Sequence, residues 1–272
     1  MATTPIRSDP EPRRSRLGSA LVARWRELLA AVGFLTRVPL GRPASSEDIA
    51  RGVVFFPPLG IALGLLAGWA TRWTAGVPGA VLAVLVLTLA SSAQFQLAPA
   101  AVATALLGLR RDREEALRIL RELSVGRPGW VALALLLVLK AGSLALVAGV
   151  ARSPVLMLAA LLGRWAVVVQ AYGSVPAQPA GLPPSPISRL QFHEFAIASV
   201  IAMGLTLILA DAAGLVLLLI VGAQAIVLRI LVHRWLGGVT GETSVAGGEI
   251  VEATVLLCCA ALSALSRAGA GA

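Results

Sequence analysis

Long apolar runs separated by short polar segments dominate the chain. Seven of them approach the roughly 20 residues that a helix needs to cross a bilayer. Asp211 and Gly214 separate two of the runs and favour a tight hairpin over one very long helix. The pattern predicts an all-α, polytopic helical membrane protein with about seven transmembrane helices. The predicted spans are 53–71, 79–98, 128–150, 154–172, 195–211, 212–231 and 246–266.

The N-terminal region has a different pattern. Residues 1–26 are polar and rich in proline and arginine, which predicts a disordered cytosolic tail. The apolar stretch 27–40 is too short to span a bilayer and predicts an interfacial or re-entrant helix. No linker or second soluble domain follows, so residues 27–272 are expected to form a single helical membrane domain.

Composition and charge agree with a membrane protein. Hydrophobic residues make up 57% of the chain and charged residues 14%, whereas soluble domains carry about 25% charged residues. A soluble globule, a disordered protein and a nucleic-acid binder are therefore excluded as interpretations. The net charge of +9 comes mainly from arginines. Eighteen of them fall in segments on one side of the predicted topology and three on the other. This asymmetry predicts a multi-pass protein with its N-terminus in the cytosol.

A glycine-rich turn before the last predicted span is one candidate for chemistry. Gly237, Gly238, Thr240 and Gly241 precede Glu242 in the sequence GGVTGE. Glycines allow the backbone to approach a ligand and to present N–H donors to phosphate oxygens. Glu242 could hold a magnesium ion together with two glutamates of the last span, Glu249 and Glu252, because Mg²⁺ takes carboxylate oxygens and substrate phosphates. A turn between two helices with capping residues explains the same pattern.

Two further groups of charges stand out. The segment 110–122, with Arg111 and Arg113, suits a helix that lies on the membrane face. It either touches anionic lipid headgroups or attracts a phosphate-bearing substrate. Lys140 and Arg164 lie within predicted spans, where charges usually face the interior of the helix bundle. They either pair with the glutamates of the last span or reach a substrate phosphate.

Several ordered motifs resemble the cobalamin synthase family, also called adenosylcobinamide-GDP ribazoletransferase. The resemblance runs from Phe34 to the last span. Its motifs are FLTRVP at 34–39, FPPLG at 56–60, RDREEALRIL at 111–120, Lys140, GRW at 163–165, and GGVTGET at 237–243 followed by Glu249 and Glu252.

The resemblance implies the last step of cobalamin nucleotide-loop assembly. Adenosylcobinamide-GDP, a corrinoid nucleotide, is joined to α-ribazole or its phosphate, GMP is released, and Mg²⁺ is required. Carried over position by position, it implies catalytic roles for Glu242, Arg164 and Lys140. It implies substrate binding by Arg37, Arg111, Arg113, Gly237, Gly238, Thr240 and Gly241, and a metal site of Glu122, Glu242, Glu249 and Glu252. The expected location is a bacterial cytoplasmic (inner) membrane, and the expected partners are membrane lipid and a second copy of the chain.

One motif departs from the family pattern. The family carries an acidic motif of the HLDGxADTxD type after the second span, whereas residues 94–105 here read QFQLAPAAVATA. Residues 49–111 contain no Asp or Glu at all, so no shift of register restores the carboxylates. The alternative prediction is a catalytically impaired homologue that binds a corrinoid or a partner protein.

Overall fold

A computed structural model describes residues 13–38, 40, 44–108, 112–178, 181 and 183–270. These residues fold into ten α-helices, and the predicted all-α architecture is confirmed. The helices are α1 (Arg13–Leu35), α2 (Ser46–Gly52), α3 (Phe56–Ala70), α4 (Gly76–Ala90), α5 (Ala93–Leu107), α6 (Arg113–Glu122), α7 (Arg127–Leu146), α8 (Arg152–Ala171), α9 (Phe192–Leu236) and α10 (Gly241–Ala270).

Several of these helices are long and apolar enough to cross a membrane. By length and composition, five segments of the described chain qualify, and two further apolar helices, α4 and α5, are shorter. This confirms a multi-pass membrane protein. The five segments are Ser46–Ala70, Arg127–Leu146, Gly149–Ala171, Phe192–Leu236 and Gly241–Gly269.

The longest helix, α9, folds back on itself. Its backbone leaves helical geometry at Asp211, with φ 46° and ψ −137°. Trp165 of α8 contacts both halves: its Nε1 donates to Ser199 Oγ at 3.1 Å, and a Cβ on Gly222 would lie 3.7 Å from its ring. Residues 199 and 222 of an uninterrupted helix would be roughly 35 Å apart. The predicted hairpin between two short spans is therefore confirmed.

The predicted span 79–98 is wrong at its C-terminal end. Helix α4 ends at Ala90, and α5 begins at Ala93 after a break at Ser91 and Ser92. Leu35 at the end of α1 reaches this break, where its carbonyl accepts from the backbone N–H of Ser92 at 2.9 Å. Helices α4 and α5 together form one interrupted passage through the bundle. The break is tolerated because the end of α1 satisfies a backbone group that the break leaves free.

The helix ends gather at two ends of the bundle. At one end of the bundle, Arg152 Nη1 donates to Gly76 O at 2.8 Å and Arg267 Nη2 donates to Leu146 O at 2.6 Å. At the other, arginine-rich end lie the end of α5, α6, the start of α7, residues 172–178, residues 183–191 and the turn 237–240. The arginines of α6 and Arg234 at the end of α9 thus share one end of the described fold.

Two predictions about the polar segments need correction. Helix α1 begins at Arg13, inside the tail predicted to be disordered, while residues 1–12 lie outside the described part. Helix α6 does not present its apolar residues to lipid: Leu117 is 2% exposed and Leu120 is fully buried. These side chains pack against Ala105 and Leu236, because the apolar face of this amphipathic helix finds a protein partner.

Close helix packing rests on glycines. A Cβ on Gly60 or Gly64 of α3 would lie 2.6 or 2.5 Å from a backbone oxygen of α8. A Cβ on Gly163 of α8 would lie 2.9 Å from the carbonyl oxygen of Gly248 on α10. Small residues let membrane helices approach closely, and α8 is consequently packed on both sides and forms the centre of the core.

Candidate functional site

Four buried charges from three helices form one cluster in the core. Lys140 of α7 donates to both Glu249 and Glu252 of α10, and its Nζ lies 2.8 Å from Glu252 Oε1. Arg164 of α8 donates to Glu252, and its Nη1 lies 3.7 Å from Glu249 Oε1. All four side chains are at most 4% exposed. We call these residues the ion cluster; it holds two positive and two negative groups.

The ion cluster also reaches the break between α4 and α5. Arg164 Nη2 donates to Ser91 Oγ at 2.7 Å, and its guanidinium carbon lies 4.7 Å from the ring centre of Phe95. Arg37 approaches the same break from the other side, where its Nε donates to the carbonyl oxygen of Ser91 at 3.2 Å. The cluster therefore ties α7, α8 and α10 to the interrupted passage.

This geometry bears on the two interpretations of Lys140 and Arg164. The described structure has the interhelical ion pairs with the glutamates of α10, which is the interpretation that competes with contact to a substrate phosphate. A buried charge pair is tolerated when both members are satisfied by partners. Because each of these cations is hydrogen-bonded to a buried glutamate, the structure supplies a structural role for both.

The glycine-rich turn packs tightly against the segment that precedes α9. Val239 N donates to Val175 O at 2.8 Å, and Ala177 N donates to Val239 O at 3.0 Å. A Cβ on Gly238 would lie 2.5 Å from the oxygen of Val175, and one on Gly241 would lie 2.3 Å from Ser185 Oγ. Both positions are glycine because the neighbouring chain leaves no room for a side chain.

The hydrogen bonds of this turn change two of the predicted roles. Gly237 ends α9 with φ 70°, and its N–H donates to His233 O at 2.9 Å. It is therefore not free to bind phosphate. Thr240 Oγ1 accepts from Thr243 N at 3.1 Å and caps the start of α10. The pattern is thus the turn with capping residues that was the alternative to a phosphate-binding turn.

Helix α6 lies over the same turn. Arg113 Nε donates to the carbonyl oxygen of Leu236 at 2.7 Å, and Arg121 Nη1 lies 4.0 Å from Glu242 Oε1. Beside them, Oε1 of Gln178 is buried without a hydrogen-bond partner in the described structure. The side chain of Glu242 is 18% exposed. These groups form a polar cluster in which Arg121 and Glu242 are the accessible side chains. We call it the turn site: Arg113, Arg121, Gln178, Leu236 O and Glu242.

The predicted metal ligands do not come together. Glu249 and Glu252 are held by Lys140 and Arg164, Glu242 lies at the turn site, and exposed Glu122 accepts from Ser124 Oγ at 3.3 Å. Within the described ranges, no three His, Cys, Asp or Glu side chains are close enough to hold a metal ion. The four-glutamate set is wrong as a single site, because two of its members are neutralised inside the core.

Two positions remain to be placed. Arg111, a predicted substrate ligand, lies outside the described residues. Ser91 is absent from the sequence candidates, yet it links Arg164 to Arg37. The available signal is the pair Ser91-Ser92 in the middle of an apolar run, since polar residues at such depth mark an interruption or a buried contact.

Comparisons with known proteins give a consistent picture. The family model described as cobalamin-5-phosphate synthase matches residues 27–260. Adenosylcobinamide-GDP ribazoletransferase of Pseudomonas paraeruginosa is 33% identical over 235 residues, covering 85% of this chain and 96% of its own. The enzyme of the same name from a Roseiflexus species is 36% identical over 235 residues, covering 83% and 86% respectively. That of Syntrophobacter fumaroxidans is 30% identical over 243 residues, covering 85% and 97%. No solved structure matches the chain.

Proposed function

Because this chain belongs to the cobalamin-5-phosphate synthase family, we propose that it is an adenosylcobinamide-GDP ribazoletransferase. The observation that carries the proposal is the match to relatives of that name along nearly their whole length. A catalytically impaired homologue is not favoured by any comparison. The substrates are a corrinoid nucleotide and α-ribazole or its phosphate.

The reaction is a phosphoryl transfer. A ribose hydroxyl oxygen of ribazole forms a bond to the phosphorus atom that carries the corrinoid. The bond from that phosphorus to the bridging oxygen breaks, GMP leaves with the electron pair, and the hydroxyl proton is released. Catalysis of such transfers depends on positioning and on cationic groups that stabilise the charged phosphates.

The turn site supports this chemistry best. Arg113 and Arg121 of α6 place two guanidinium groups over the turn, and arginine forks suit phosphate oxygens. Arg121 is 40% exposed at its side chain, so it is accessible to a ligand. We propose that Arg121 binds a substrate phosphate, while Arg113 positions the turn through Leu236.

The ion cluster is proposed to position the site without touching the substrate. At most 4% of the side chain is exposed in each of its residues, Arg164, Lys140, Glu249 and Glu252. They fix α10, whose first turn carries Glu242, relative to α7 and α8. Substitution of a cluster residue is then expected to act through folding and positioning.

We propose that a magnesium ion binds at Glu242 alone rather than at the predicted set of four glutamates. Mg²⁺ usually keeps several waters and binds one or two carboxylates together with substrate phosphates. Glu242 fits such a site because it is accessible, whereas the ion cluster does not fit because its carboxylates are occupied by cations. When bound, the ion would neutralise phosphate charge. Glu242→Asp, which restores the shorter acid of the family motif, is expected to retain activity.

The proposed orientation rests on the position of the charges. We propose that the arginine-rich end faces the cytosol of a bacterial cytoplasmic membrane, where nucleotide substrates are made and where positive loops are retained. Contact of this end with anionic lipid, and a homo-oligomer, remain predictions.

The test is an assay of purified protein in lipid nanodiscs. Adenosylcobinamide-GDP, α-ribazole and Mg²⁺ are supplied, and cobalamin and GMP are measured by chromatography. We expect equal amounts of the two products, and a strong decrease with Arg121→Ala. Binding of the corrinoid nucleotide without any product would support the impaired homologue instead.

A further inference from the structure

A cleft at the N-terminal side of the bundle is separate from the turn site. Helices α1 and α2 and the start of α5 enclose a volume of about 980 Å³. Its walls are apolar: they include the aliphatic side chains of Leu29 and Ile49 and the aromatic rings of Trp25 and Phe34. Phe34 is held in place by Phe56, whose ring stacks on it with the centres 5.4 Å apart.

The floor of this α1–α2 cleft is polar. Ser92 and Gln94 lie there, at the break between α4 and α5. The Gln94 amide is fixed because its Nε2 donates to Phe34 O at 2.8 Å. The hydroxyl of Ser92 is buried and has no hydrogen-bond partner among the described residues. A buried polar atom without a partner is costly. Because Ser92 also lines the cleft, rotation of its side chain toward the cleft would let a ligand hydroxyl satisfy it.

The charges of the lining favour a ligand without several phosphates. Among the described lining residues, one cation, Arg26, is accompanied by one anion, Asp48. A diphosphate is usually bound by several cations or backbone donors. In contrast, a carboxylate is a common partner for the hydroxyl groups of a ribose.

From these observations we propose that the α1–α2 cleft binds a nucleoside with an apolar fused-ring base, the base against Phe34 and the ribose toward Ser92, Gln94 and Asp48. In the reaction proposed above, on which this inference rests, that nucleoside is the acceptor, α-ribazole. Flat apolar rings gain free energy from stacking on aromatic side chains. Hydroxyl groups of the sugar would meet the polar floor.

The cleft is connected to the rest of the site. Ser92 follows Ser91, which accepts a hydrogen bond from Arg164 of the ion cluster. Leu35 and Phe95, next to the cleft, pack in one buried group with Val245 and Ala246 in the first turns of α10. A ligand in the cleft would therefore lie next to a buried group of residues that packs directly against the first turns of α10, the helix carrying Glu242.

The experiment measures binding of α-ribazole to the full chain in nanodiscs by isothermal titration calorimetry. Gly33→Phe fills the cleft, since Gly33 lies on its wall and the nearest atom to an added Cβ is Leu40 Cδ1 at 3.4 Å. The matched control is Gly142→Phe on α7, where an added Cβ meets nothing within 4 Å. We expect the Kd for α-ribazole to rise at least tenfold with Gly33→Phe and to stay unchanged with Gly142→Phe. Ser92→Ala is expected to raise the Kd about threefold.

The outcomes distinguish a failure of the proposed cleft from a failure of the proposed reaction. Gly33→Phe must keep the wild-type Tm and the wild-type Kd for adenosylcobinamide-GDP, which shows that the fold is intact. Wild-type turnover with an unchanged Kd for α-ribazole in Gly33→Phe would overturn the cleft and leave the proposed function standing. No binding of α-ribazole and no product with the wild-type chain would overturn both. Binding that appears only when residues 1–12 are deleted would show that the N-terminal segment fills the cleft, and would also overturn this proposal.

Discussion

Oε1 of Glu252 on α10 lies 2.8 Å from Nζ of Lys140 on α7, where both side chains are at most 4% exposed. Glu252 also accepts from Arg164, so one carboxylate joins three helices. Removal of one member of a buried pair leaves an uncompensated charge, whereas removal of matched members does not. The first prediction follows from this difference.

Lys140→Met is expected to lower the free energy of unfolding by about 3–5 kcal/mol, because Arg164 alone would face two glutamates. Lys140→Met with Glu249→Gln should recover a large part of the loss, since Glu249 is the glutamate whose oxygen lies farther from Arg164, at 3.7 Å. Chemical unfolding in detergent, analysed as a double-mutant cycle, measures both effects. Strictly additive losses would show that the cluster is not a coupled unit.

Arg113 should position the turn before α10. Arg113→Ala removes the hydrogen bond from Nε to Leu236 O and leaves the end of α9 less fixed. Hydrogen bonds from charged groups contribute about 1.5–3 kcal/mol, and we expect a loss of unfolding free energy near the lower value together with a decrease in kcat. Arg118→Ala is the matched control on the same helix, because Arg118 is exposed and pairs only locally with Glu115 in the described structure. Equal effects of the two substitutions would contradict the positioning role.

The dependence of activity on magnesium should follow Glu242. Glu242→Gln is expected to raise the Mg²⁺ concentration for half-maximal activity about tenfold, because a neutral amide binds a hard cation more weakly than a carboxylate does. Glu114→Gln, on the exposed side of α6, should leave this concentration unchanged. Titration of product formation against Mg²⁺ measures it. A shift with Glu249→Gln but none with Glu242→Gln would place the metal in the core instead.

The turn of the α9 hairpin should carry backbone strain. Asp211 has φ 46° and ψ −137°, a conformation that glycine adopts more easily than residues with a Cβ. Such strain is about 1–3 kcal/mol, so Asp211→Gly is expected to raise the free energy of unfolding by about 1 kcal/mol. Asp211→Ala keeps the Cβ and should give no such gain. Thermal unfolding of the two variants in the same detergent measures the difference, and equal Tm values would contradict the strain.

Some of the fold can be read from local pattern. The apolar runs predict most of the membrane helices, and the polar pair Asp211 and Gly214 predicts the hairpin in α9 because a charged residue and a glycine interrupt an apolar helix. The break at Ser91 is not predicted, because two serines within a largely apolar run are also compatible with one continuous helix. Its backbone groups are satisfied by Leu35 and Arg37, which are distant in sequence.

The amino-acid sequence by itself determined the class of protein, the apolar segments and the family, since hydropathy and short ordered motifs are local properties. Only the tertiary structure decided which charged side chains are accessible and which are paired in the core. Glu242 and Glu249 are both carboxylates near the start of one helix, yet one is accessible beside Arg121 and the other is neutralised in the core by Lys140. The difference arises from how α6, α7 and α8 pack around α10, and contacts between distant segments leave no signature in the spacing of residues along a single chain.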